Sequence, residues 1–71
     1  MKELKNKILA VVDEELKEVR ADISNGEVWF KGAQSEEEAE IFEVNLAVLR
    51  EKEQKLIALM KRIYEDEEFD I

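Results

Sequence analysis

Apolar residues near the start of the chain recur at three- and four-residue spacing. Leu4, Ile8, Val11, Val12, Leu16 and Val19 form one stripe, with Leu9 at its edge. A 3.6-residue period of this kind predicts an amphipathic helix over residues 2–19. The period then shifts to two in ISNGEVWFKG, residues 23–32. With Asn25-Gly26 as a two-residue loop, Ile23 falls opposite Val28, Asp22 opposite Trp29, and Ala21 opposite Phe30. Ala21, Ile23, Val28 and Phe30 then share one face, while Asp22, Ser24, Glu27 and Trp29 share the other. Asn-Gly suits the primed turns, whose central residues have positive φ. The pattern predicts a two-stranded β-hairpin over 20–31, which is marginal in isolation and needs a helix or a second copy against it.

Ser35 followed by Glu38 is a capping box, and three successive glutamates lie at the positive end of the helix that follows. The helical pattern continues to Tyr64. Its middle holds REKEQK, residues 50–55, which is either a bend or a polar stretch of continuous helix. The run contains only strong helix formers. Phe42, Leu46, Leu49, Glu53, Leu56, Met60 and Ile63 keep stepping by four and three across it, with only Glu53 off-type. One long helix over 36–64, about 45 Å, is therefore expected, against about 27 Å for the first. So unequal a pair leaves Leu56, Leu59, Met60 and Ile63 bare in a monomer. The economical arrangement is an antiparallel homodimer formed through Phe42, Leu46, Leu49, Leu56, Met60 and Ile63. A bend at REKEQK, giving a monomeric three-helix bundle, is the alternative. The expected fold class is mostly α with a minor α+β element: helix, β-hairpin, long helix and an acidic tail at 65–71, all in a single domain spanning 1–71.

Composition narrows the chemistry. The 71 residues carry a formal charge of -8, 42% of them charged, with no cysteine, histidine or proline. Disulfides, thiolate zinc sites and cysteine nucleophiles are excluded, and so are the commonest transition-metal ligand and general base. The acidic balance argues against direct nucleic-acid binding and against docking on an anionic membrane. No apolar run approaches a membrane span, and MKELKNKILAVVDEELK has no signal-peptide pattern, so the cytoplasm is the expected compartment. Ser24 and Ser35 have no base to activate them. Carboxylate pairs such as Glu36 with Glu40 read as solvated rather than as acid–base pairs, so no enzymatic activity is expected. Asp66, Glu68 and Asp70 alternate somewhat like a calcium loop but lack its glycine and terminal glutamate. No metal or cofactor is expected.

Protein binding is the class that remains. Glu36, Glu37, Glu40 and Glu43 form an acidic row, with Asp13, Glu14 and Glu18 on the first helix. Carboxylates so arrayed suit a basic surface, including a groove that otherwise holds nucleic acid. Trp29 is either an exposed anchor or a covered structural residue. Phe69 and Ile71 in YEDEEFDI suit a docking segment, a fold-back onto the first helix or a frayed end. The expectation is a small non-catalytic acidic inhibitor or adaptor, with Trp29, Glu36, Glu37, Glu40, Glu43, Phe69 and Ile71 as partner contacts. The alternative is a structural oligomerisation module or a designed mini-protein with no partner.

Overall fold

The computed structural model describes residues 2–65. Two helices, α1 (Lys2–Lys31) and α2 (Glu36–Glu65), are joined by a short connection at 32–35 and pack antiparallel along their length. Each has 30 residues, so both are about 45 Å long. The molecule is a rod, with principal extents of 54 × 14 × 10 Å and a radius of gyration of 16.2 Å. A compact chain of this length has a radius of gyration of about 11 Å. Residues 66–71, which include Phe69, Ile71 and most of the acidic tail, lie outside the described residues.

The β-hairpin expected over 20–31 is not formed: the segment is the C-terminal part of α1. The competing signal is the seam. Leu9, Val12, Leu16, Val19 and Ile23 step by three and four toward α2, and Gly26 continues the series. A strand pair at 20–31 would cover little of α2, whereas continued helix keeps Ile23 in the phase of the seam and sets Gly26 against Leu46. The cost is about 1 kcal/mol for glycine inside a helix, while each fully buried large apolar side chain returns about 1.5–3 kcal/mol. Glycine also has a positive reason to be there. A Cβ at position 26 would meet Leu46 Cδ2 at 2.8 Å, so the bare backbone lets the two helices approach. In this conformation Val28 is 69% exposed rather than turned to the core.

This correction removes the length mismatch. Leu46 and Ile63 are buried, at 5% and 2% exposure, and Phe42, Leu49, Leu56 and Met60 are half-buried. These six residues, expected to form a dimer, lie along the face of α2 that packs on α1 within the single chain. Val12, Leu16 and Val19 are their buried counterparts. α2 runs unbroken through REKEQK, and the off-type Glu53 is answered across the seam by Arg20, whose Nε donates to Glu53 Oε2 at 3.1 Å. At the turn, the Glu38 N–H donates to Ser35 Oγ at 3.1 Å, which is one half of the capping box. The Gly32 and Ala33 N–H groups close the end of α1 on the carbonyls of Val28, Trp29 and Phe30. At the open end Lys5 Nζ donates to the Tyr64 carbonyl at 3.2 Å.

Asn25 separates the two conformations experimentally. In a hairpin loop its replacement is harmful; on exposed helix, alanine is the better residue. We expect Asn25→Ala to stabilise the protein by about 0.5 kcal/mol with helix content unchanged, read by thermal melting in far-UV circular dichroism. A loss of stability would put a turn back at residues 25–26.

Candidate interaction surface

Helical spacing divides the hairpin into two flanks on either side of the seam, and they differ in chemistry. On one, charges close on each other. Arg20 meets Glu53, and Arg50 Nη2 meets Glu27 Oε1 at 3.2 Å. Such partly exposed pairs contribute about 0.2–1 kcal/mol each and fix alignment more than stability.

The other flank is apolar at both ends. Near the turn, Trp29 is 65% exposed, although its ring tilts against Phe42 with centroids 6.1 Å apart and an interplanar angle of 43°. The indole is a ridge between two hollows. One, of about 440 Å³, has Gly26, Phe42 and Leu49 as its floor and Asp22, Asn25 and Asn45 at its rim. The second, of about 320 Å³, lies toward the turn against Val28, Gly32, Gln34 and Glu38. The missing side chain of Gly26 that lets the helices approach also deepens the first hollow. Beyond Trp29, α2 adds Ile41 and Val48, 61% and 59% exposed and one heptad apart. At the open end of this flank stand Leu4 and Val11 of α1 with Leu59 of α2, all exposed.

The contacts expected from the sequence do not converge. Trp29 is an exposed ridge rather than a covered core residue. Glu36, Glu37, Glu40 and Glu43 are all exposed in the first turns of α2. Helical spacing puts Glu36 and Glu43 on the charge-paired flank, where Glu43 lines a hollow with Glu27, Lys31 and Arg50. The glutamate row and Trp29 are thus separate surfaces. Phe69 and Ile71 fall outside the described residues. Sequence reading missed Asp22, Asn25 and Asn45 as the polar rim, because the hairpin register displaced the first two. It also missed Ile41, Val44 and Val48, whose spacing of three and four on the side away from the seam was the available signal.

No group of acids that could hold a metal ion occurs among the described residues, and no helix there is long and apolar enough to cross a membrane. Every residue buried among those described is apolar, apart from Gly26. What the surface offers chemically is an aromatic ridge with an amide and carboxylate rim, the makings of an anchor in a protein contact.

Because Trp29 leans on one ring and is otherwise open, its removal is mild. We expect Trp29→Ala to cost about 0.5–1.5 kcal/mol, the worth of an aromatic pair, while Leu16→Ala costs about 2–5 kcal/mol by leaving a void in the seam. Denaturant melts of the two variants check the contrast, and equal losses would make Trp29 a core residue. Comparisons with family models, with curated proteins and with solved structures return no match for this chain.

Proposed function

We propose that this chain is a non-catalytic protein-binding module, an adaptor or inhibitor that presents a helical surface to another protein chain. One observation carries this reading. Among the described residues eleven large hydrophobic side chains are exposed and only five are buried, so a large share of the apolar surface lies outside the seam. Scattered exposed hydrophobics are ordinary, but clusters rimmed by polar groups mark contact sites. Trp29 with Ile41 and Val48 forms such a cluster.

The acidic balance gives the partner a character. A charge of -8 draws the chain toward basic proteins. Glu36, Glu37, Glu40 and Glu43 present carboxylates along the start of α2, suited to a basic surface such as a groove that binds nucleic acid. In this reading the acids set the rate and salt dependence of encounter, and the Trp29 flank sets the lifetime of the complex. Supporting a non-catalytic role, the sequence has neither histidine nor cysteine.

The test is differential capture from cells that make the protein. Trp29→Ser should lower recovery of a specifically bound protein by about thirtyfold or more, the factor for losing a hot spot of 2 kcal/mol. Joint replacement of Glu36, Glu37 and Glu40 by Gln should instead weaken capture at low salt and leave it little changed at high salt. If neither change alters what is captured, the binding reading fails.

A further inference from the structure

We infer that the apolar flank carrying Trp29 is covered by a second copy of this chain, giving a four-helix bundle whose two-fold axis runs parallel to the helices. This deepens the protein-binding reading by naming one occupant for one surface. The argument begins with area. The chain exposes 5780 Å², whereas a compact monomer of its size exposes about 4,600 Å². The excess, about 1,200 Å² per chain, is enough to furnish a standard interface of about 1,600 Å² shared between two copies. Six of the eleven exposed large hydrophobics lie on this flank, near its two ends: Leu4, Val11, Trp29, Ile41, Val48 and Leu59.

Charge then selects the partner and its orientation. Between those apolar ends, α1 shows Glu15, Glu18 and Asp22 on this flank, and α2 shows Lys52 and Lys55. Of these, only Lys55 takes part in an ion pair among the described residues, with Glu51 of its own helix. A two-fold axis along the rod lays α1 of each copy against α2 of the other and keeps every residue at its own height. The heights are set within the hairpin: Trp29 is level with Phe42, Gly26 with Leu46, and Arg20 with Glu53. Glu18 and Asp22 flank Arg20 along α1, and Lys52 and Lys55 flank Glu53 along α2. The acids of one copy therefore meet the bases of the other. Trp29 meets the neighbourhood of Ile41, and Val11 that of Leu59. The alternative two-fold, with the axis across the rod, sets α1 on α1 and places Glu15, Glu18 and Asp22 against themselves. Like charges juxtaposed across an interface disfavour that arrangement.

The experiment uses the full chain. Light scattering at micromolar concentration should report a dimer, and the emission of the single tryptophan should shift to the blue as concentration rises. Two exposed-site variants test the pairing. Glu15→Lys with Glu18→Lys and Asp22→Lys makes these charged positions all basic; Lys52→Glu with Lys55→Glu makes them all acidic. Each alone should dissociate at least about tenfold more readily, and mixing the two should restore dimer, since only then do opposite charges meet. Far-UV circular dichroism confirms that both variants fold. Gln34→Cys, a unique thiol in the turn, reports orientation. Spin labels there should lie within about 20 Å, two helix spacings, rather than about 45 Å, one helix length. A monomer, failure of mixing to restore the dimer, or labels a helix length apart each overturns the inference. Capture of a foreign protein is decided separately by the Glu36, Glu37 and Glu40 replacements, which leave the apolar residues of this flank in place.

Discussion

A hairpin of two helices has no third layer, so almost everything it buries is buried along one seam. Every other feature depends on that seam being continuous from the turn to the open ends. Val12, Leu16, Val19, Leu46 and Ile63 supply its buried apolar contacts. Two exceptions make it work. Gly26 removes a side chain where Leu46 needs the space, allowing close approach near the turn. Glu53 places a carboxylate at a seam position and is matched by Arg20 from the opposite helix. An off-type polar residue in an apolar seam is a device for fixing register. Here it locks one helix against the other at the middle of the rod.

From that register follows the division of the surface. Because the helices are held at fixed heights, Arg50 reaches Glu27 and Arg20 reaches Glu53 on one flank. The opposite flank has Trp29, Ile41 and Val48 at one end and Leu4, Val11 and Leu59 at the other, with acids on one helix and bases on its neighbour between them. So thin a fold leaves such side chains outside, since 54 Å of length is combined with only 14 and 10 Å of width. The exposed apolar surface is thus a consequence of the same geometry that forms the seam, and the proposed binding role rests on it.

Much of the helical content was legible. The stripe of α1, the Ser35 cap and the unbroken phase of α2 from Phe42 to Ile63 are local or periodic signals, readable from residue identity and spacing. The turn signal at Asn25-Gly26 misled, because Asn-Gly followed by alternating Val28 and Phe30 satisfies every local rule for a hairpin. The counter-signal was present: Ile23 keeps phase with Leu16 and Val19, and Gly26 lies one heptad beyond Val19. The supposed mismatch between a short first helix and a long second one was itself the clue that residues 20–31 belong to the first helix.

The candidate site was less visible. Trp29 was singled out, but its neighbours were assigned from strand alternation, so Asp22 was set across a ladder rather than two turns away on the same helix flank. The sequence by itself determined that this chain is charged, free of thiol and imidazole chemistry, and helical wherever its apolar period is 3.6. Only the tertiary structure decided what residues 20–31 become, because their local preference for a turn and their preference to continue the helix differ by little. The apolar face of α2 settled that contest: it had to be covered along its whole length, and α1 covers it only by remaining helix through Gly26.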